Sequence, residues 1–222
     1  MERTKIELKH NTQEWLDFRR KGIGASEAAS VLGLSRWMSN VELWDLKVGY
    51  TNAQDISNNP AVAYGNNAEN LLFKLFALQY KDRYITKSNK NVVYVKDGFQ
   101  FASLDGELIN IQSGKSGNYE GKTVIINSSL TWDDWRDRIP TNYYIQLLHQ
   151  LLVTGWDFSV INTEFRWTDK NGEIATECRR YLLNANDEQV KDDMKYLDDA
   201  EYDFWFNYVK KRKRPARILP DF

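Results

Sequence analysis

At 222 residues, with 42% hydrophobic and 14% aromatic content, the chain is long enough to bury a sizeable core, and a single domain over 1–222 is expected. Cys178 is the only cysteine and His10 and His149 are the only histidines, which excludes disulfide frameworks, structural zinc and iron–sulfur ligation and leaves any metal to oxygen donors. The net charge of −1 does not announce a nucleic-acid binder, and with neither a run of roughly 20 apolar residues nor a signal-type apolar core near Met1, a soluble cytoplasmic protein with no membrane partner is expected.

Asn11 and Glu14 have the spacing of a capping box, and Trp15, Leu16 and Phe18 give the helix that follows an apolar face. That helix runs through Arg19-Arg20-Lys21 into Gly22-Ile23-Gly24-Ala25-Ser26, where a second helix, Glu27 to Leu32, opens and is stopped by Gly33. Glycines admit close backbone approach and a helix N-terminus favours an anion, so Arg19 and Ser26 can clasp a phosphate; the plainer alternative is a helix corner with Ser26 as its cap. Ser39 and Glu42 form a further capping box for a helix ending at Gly49, with Trp37 and Trp44 as packing aromatics. Thr51 to Pro60 is polar and reads as a surface loop. From about Ala61 to Tyr80, Ala68, Leu71, Leu72, Leu75 and Phe76 follow the helical period. Glu69 lies one turn before Leu72 and Phe73, and a carboxylate near a buried face needs a cation, a donor or a metal.

Asn91 to Asn127 is rich in Val, Ile, Tyr and Phe and is punctuated by Asp97-Gly98, Asp105-Gly106 and Ser113-Gly114, the pattern of a three-stranded antiparallel meander. Ile139-Pro140 then opens a helix to about Thr154, stopped at Gly155, on which Gln146 and Gln150 share a face. Two such amides can bond a substrate strand or support a metal-bound carboxylate; they are equally compatible with a solvated surface. Asp157 to Trp167 and Glu173 to Leu183 read as strands joined by Asn171-Gly172. A final helix from Asp187 to about Lys211 carries Val190, Met194, Leu197, Phe204, Trp205 and Tyr208 on one face. Its basic end, Lys210 to Arg214 with Arg217, reads as a projecting solvated tail from about 210.

The chemistry concentrates in Ser103-Leu104-Asp105-Gly106 and Glu120-Gly121-Lys122-Thr123. Residues at i and i+2 of a strand leave by one face, so Glu120 and Lys122 point together, and Asp105 would reach them from the neighbouring strand. Two carboxylates beside an amine suit hydrolysis of a phosphodiester with a hard divalent cation, which takes carboxylate, carbonyl and water oxygens; the alternative is a cross-strand salt bridge.

With the N-terminal helices set aside, the order helix, three strands, helix, strand resembles the α-β-β-β-α-β core of the PD-(D/E)xK nuclease superfamily. Trp15-Leu16-x-x-Arg19-x-x-Gly22-Ile23-Gly24-Ala25-Ser26-Glu27, then Gly65-x-x-x-Glu69, Ser103-Leu104-Asp105-Gly106, Glu120-x-Lys122 and Tyr144-x-Gln146-x-x-x-Gln150 are similar, in order, to the motifs of the YqaJ-type viral recombinases, the family of phage lambda exonuclease. The resemblance implies an α/β (α+β) fold with a central mixed sheet of about five strands flanked by helices. It implies two Mg²⁺ ions, for which Mn²⁺ can substitute, on Asp105, Glu120 and the Gly121 carbonyl, with Glu69 joining directly or through water. Lys122 would orient or activate the attacking water, Gln146 would help to place it, and Arg19, Ser26 and Ser103 would hold a 5′-phosphate. The implied activity is 5′-to-3′ digestion of linear duplex DNA, leaving a 3′ tail for a single-strand annealing protein, by a ring-shaped homo-oligomer such as a trimer. Alternatives are a structure-specific endonuclease of the same superfamily and a DNA-end-binding module without hydrolysis. Gly121 departs from the family, where a bulkier residue is usual.

Overall fold

The computed structural model describes residues 2–9, 12–53, 58–89 and 91–219. Val, Ile and Tyr runs bounded by tight turns build two sheets. The larger is five-stranded, in the order β3 (Tyr84–Ser88), β6 (Gly106–Asn110), β7 (Ser116–Ile125), β8 (Phe158–Thr168), β9 (Ile174–Asn184). β7 and β8 run parallel, with Glu120 opposite Ile161 and Lys122 opposite Thr163; the other pairs are antiparallel, so the expected mixed sheet of about five strands is present. The smaller sheet has the order β1 (Arg3–Glu7), β4 (Val92–Lys96), β5 (Gln100–Ser103), β2 (Ile23–Gly24).

Parallel β7 and β8 need a crossover, which holds α5 (Ser129–Asp134) and α6 (Thr141–Thr154). Leu147, Leu148 and Leu151 of α6 pack on Ile161 and Phe165 of β8. The sheet's opposite face is covered by α4 (Pro60–Gln79), whose Phe73 and Phe76 meet Tyr84, Tyr119 and Phe158 in an aromatic cluster. Before α4 the chain forms α1 (Gln13–Arg19), a 3₁₀ turn (Ala25–Glu27), α2 (Ala28–Val31) and α3 (Asn40–Val48). After β9 comes α7 (Glu188–Asp203), continued by a π-helical segment, Phe204–Val209. No helix among the described residues is long and apolar enough to cross a membrane.

Several expectations need correcting. The meander is four strands rather than three: β4 and β5 turn at Asp97-Gly98, both at positive φ, but Asp105-Gly106 is not a turn, because there the chain leaves one sheet for the other. Thr12, not Asn11, caps α1, its side chain accepting from the Trp15 N–H; Asn11 lies outside the described residues, as do 54–57 of the expected loop. The turn after Gly24 is capped by the Glu27 carboxylate on the Gly24 N–H rather than by Ser26. Trp44 is buried, but Trp37 is 69% exposed, and on α4 the buried set is Ala68, Leu72, Phe73 and Phe76, with Leu71 and Leu75 outside. The last helix stops short of Lys211, and the residues beyond it dock back on the body: Pro215 is buried, and Asn40 bonds both the Ala216 carbonyl and the Ile218 N–H.

A buried polar network ties α6 and α7 to the smaller sheet. His149 Nδ1 lies 2.7 Å from Glu201 Oε1 and Nε2 lies 3.0 Å from the Phe101 carbonyl. Both partners are acceptors, so both ring nitrogens donate and the ring is an imidazolium. Gln100 reaches Glu201 and Asp198, and buried Lys96 donates to Gln100 and Asp198. Burial alone would lower the His149 pKa, but Glu201 raises it above the ordinary histidine value. The stabilisation is therefore complete below about pH 6.5 and is lost as pH rises through the higher folded value. We expect Glu201→Gln to cost about 3–5 kcal/mol at pH 6, as breaking a buried pair does, with the gap narrowing as pH rises through that value. Denaturant unfolding of both proteins from pH 6 to 9 checks this.

Candidate active site

Asp105 stands where β5 of one sheet hands over to β6 of the other, and the next residue shows how tightly that step is fitted. A Cβ on Gly106 would come within 2.3 Å of the Phe73 ring, so only glycine lets β6 pass beneath α4. Asp105 Oδ2 accepts the Gly121 N–H at 2.8 Å, which fastens the crossover to the middle of β7. At Gly121 itself an added Cβ would meet Asp105 Oδ2 and the Tyr119 ring at 3.6 Å, ordinary contact distances, so the departure at this position reflects no steric need.

Glu120 and Lys122 share one face of β7, the face covered by α6. Glu120 Oε1 accepts from Lys122 Nζ at 2.5 Å and from Gln146 Nε2 at 2.6 Å, and Oε2 accepts from Gln150 Nε2 at 2.7 Å. Of the alternatives for Gln146 and Gln150, support of a carboxylate is the one found. Both amide nitrogens are aimed at Glu120 through spacing by one helical turn. Glu69 comes from α4 on the other side of the sheet. Among the described residues no cation or donor bonds its carboxylate, so it is not the structural ion pair that its position allowed.

The electrostatics follow from this crowding. Burial first, then Glu120 and Glu69, hold the Asp105 carboxyl well above the usual carboxylate range, with Lys122 and the Gly121 N–H opposing. Burial would lower the Lys122 ammonium, but Glu120 and Asp105 outweigh it and raise its pKa. The neighbouring carboxylates thus favour the charged form of Lys122. Three carboxylates answered by one ammonium leave a surplus of negative charge on oxygen donors, which fits a hard divalent cation. No three Asp, Glu, His or Cys side chains among the described residues close into a cage of their own, but magnesium keeps several waters and needs only one or two carboxylates.

Beside the carboxylates lies a cavity of about 200 Å³, lined by Arg19, Ser26, Ser103 and Gln146 with Trp15 and Phe101 among its apolar walls. Gln146 belongs to both places, since the side chain that bonds Glu120 also lines the cavity. Arg19 stacks on Trp15 and donates to Ser26 Oγ at 3.3 Å and to Glu27 Oε1 at 3.1 Å. Glu27 is the residue that sequence reasoning missed. Its other oxygen accepts from the Gly24 N–H and from Lys47 Nζ, and Lys47 also donates to the Arg19 carbonyl. Burial would raise the Glu27 carboxyl, yet Lys47 and Arg19 together hold it below the ordinary value. The available signal was the Gly24-x-x-Glu27 spacing, that of a capping residue.

Gln146 thus links Glu120 and Lys122 to the cavity of Arg19, Ser26 and Ser103, while Glu69 reaches Asp105 only through its charge. The YqaJ-like viral recombinase domain model matches residues 14–157, well over half of the chain. The chain belongs to that family. A curated member from Bacillus subtilis (strain 168), the uncharacterized protein YqaJ, is 28% identical over 210 residues, covering 91% of this chain and 58% of its own length, so this chain spans little more than half of that relative. Among solved structures, an alkaline exonuclease (LHK-Exo) from Laribacter hongkongensis superposes with a TM-score of 0.51 at 19% identity, covering 90% of this chain and 97% of that one. A phage-related exonuclease from Haemophilus somnus 129PT does so with a TM-score of 0.57 at 15% identity, covering 86% and 96%. At these identities the two structures establish the fold alone, the mixed α/β architecture expected above.

An ionised Asp105 costs the folded state free energy when no cation is bound. With its folded pKa raised, that cost sets in as pH climbs from about 4 and is complete above the folded value. Asp105→Asn keeps an acceptor for the Gly121 N–H and removes the charge. In EDTA at pH 8 we expect it to melt roughly 2–4 °C above the wild type for each kcal/mol relieved, with the difference closing near pH 4. Calorimetric scans at the two pH values check this.

Proposed function

We propose that this family member is a metal-dependent exonuclease that digests linear duplex DNA from its 5′ ends and leaves 3′ single strands for an annealing protein. The observation that carries the reading is Gln146, which joins the cavity of Arg19, Ser26 and Ser103 to the carboxylate of Glu120. A terminal phosphate held in that cavity would present the neighbouring phosphodiester to the carboxylates. Two of the structural relatives are exonucleases by name, which supports the same reading.

In this reading Asp105, Glu120 and the Gly121 carbonyl hold Mg²⁺ or Mn²⁺, with Glu69 joining directly or through water. The bound ion supplies Lewis acidity and a more acidic water. The chain's own part is to orient and to neutralise. Gln146 and Gln150 fix the Glu120 carboxylate, and the Lys122 ammonium would orient the attacking water and offset negative charge gathering on the attacked phosphate. Arg19, its plane fixed by Glu27 and Trp15, would contact the terminal phosphate through the N–H groups that Glu27 and Ser26 leave open. A ring-shaped homo-oligomer belongs to the proposal, because enclosure would retain DNA on a chain whose net charge is only −1.

The test is digestion of linear duplex labelled at either end, with Mg²⁺ and with EDTA. Metal-dependent early loss of the 5′ label is expected, and Lys122→Ala should slow it by at least the roughly 10²–10³-fold seen when a preorganised electrostatic contact is removed. Binding without degradation would turn the reading to an end-binding module, and cuts within closed circles would turn it to an endonuclease. For the cavity, Arg19→Ala should slow digestion of 5′-phosphorylated ends far more than of 5′-hydroxyl ends. Equal slowing on both would remove the phosphate role.

A further inference from the structure

The basic segment that sequence reading took for a solvated tail has a seat. Its first turn is closed by the Lys210 N–H on the Trp205 carbonyl and the Lys213 N–H on the Tyr208 carbonyl, with Arg212 at φ 52°, a conformation few residues other than glycine adopt. Farther on, Pro215 is buried, and Asn40, at the first turn of α3 and 2% exposed, donates to the Ala216 carbonyl at 2.8 Å and accepts the Ile218 N–H at 3.1 Å. Gly33, at φ 70°, makes room for Ile218: a Cβ there would stand 2.6 Å from its Cγ2. Ordering a backbone costs conformational entropy at every residue, a cost that a merely solubilising tail has no reason to meet.

While the backbone is held, the charges are left outside. Residues 210–219 contain six cations and no acid. Arg214 has Asp45 at 3.7 Å and Arg217 lies near Glu42, the capping carboxylate of α3, but Lys210, Lys211, Arg212 and Lys213 are exposed and have no carboxylate within 4 Å among the described residues. Aromatic rings steady three of them instead, Lys210 over Trp205, Arg212 over Tyr50 and Lys213 over Tyr208, while Lys211 donates to Asn207 at 2.7 Å. Two residues beyond Tyr50, Asn52 accepts from Arg20 at 2.6 Å, and Arg20 adjoins Arg19 of the cavity. Arg212 on Tyr50 and Arg20 on Asn52 thus place cations on both sides of the turn after α3, and Arg20 is the chain neighbour of Arg19, where a DNA end is proposed to enter.

We propose that Lys210–Leu219 is a fixed strap that grips the phosphate backbone of duplex DNA behind the end held at Arg19. The assignment rests on the nuclease reading, which supplies the polyanion and its position. Phosphates along a duplex offer repeating charge to a rigid row of cations, and each one neutralised releases counterions, so the strap's grip is written into the salt dependence of binding.

The test uses the full chain with Ca²⁺ in place of Mg²⁺ and a blunt 5′-phosphorylated duplex of 40 base pairs, with binding followed by fluorescence anisotropy from 50 to 200 mM KCl. K210A/K211A/K213A should flatten the slope of log K against log salt by about 0.9 for each phosphate it no longer neutralises and weaken binding at 100 mM KCl roughly tenfold or more. Asn40→Ala, which unseats the strap but keeps every charge, should weaken binding with little change in slope; a thermal melt verifies that it is folded. An unchanged slope and affinity in the triple variant would overturn the strap, and wild-type affinity in a folded Asn40→Ala would overturn its fixed character. A wild type that binds no duplex at all would instead overturn the nuclease reading beneath it.

Discussion

The hydrogen bond from the Gly121 N–H to Asp105 holds the molecule's two sheets in a working relation. One strand pair belongs to the smaller sheet and the next to the larger, and the single residue at the handover is an acid whose charge the interior resists. Were it bonded elsewhere, β5 could still pair with β4 and β6 with β7, but the carboxylate would not meet Glu120. Fold and site thus share one constraint: the place where the chain changes sheets is also where negative charge is collected.

Helix α6 extends that constraint through the body. Gln146 and Gln150 lean on Glu120 from one side, while His149, between them, makes an ion pair with Glu201 and bonds the β5 backbone. The apolar residues Leu147, Leu148 and Leu151 set the helix's depth, and its polar residues set its rotation. Buried hydrogen bonds are costly to lose, so the bonds to Glu120, Glu201 and the Phe101 carbonyl favour this arrangement even though Gln150 Oε1 has no partner among the described residues. It gives Glu120 one orientation before any ligand arrives.

The parts legible in the sequence were those written locally. Asn171-Gly172 marked the hairpin of β8 and β9, Ser39 and Glu42 the start of α3, and the alternation around Glu120 and Lys122 the strand that carries them. What escaped depends on residues far apart in the chain. β1 is only five residues long and is a strand because Val92–Lys96 offers it a partner. Asp105-Gly106 has the composition of a turn, and only Phe73, from a different helix, reveals that its glycine serves close passage. Leu71 and Leu75 satisfy the helical period, but α4 crosses the sheet on the Leu72 and Phe76 side, a choice that periodicity does not make. The structure also explains Glu27, which reads as an ordinary acid after Ser26 until Lys47 is brought beside it from α3.

Strand β1 has a consequence for the order in which the chain can assemble. Besides pairing with β4, it sends the Arg3 side chain to the carbonyls of Leu152 and Val153, acceptors left open at the end of α6. Those carbonyls come 150 positions later, so at about 5–20 residues per second the ribosome needs roughly 8–30 s after making Arg3 before its partner exists. Pairing with β4 can form once Val92–Lys96 is made, but the second fastening of β1, through Arg3, has to wait longer, for the helix whose end it closes.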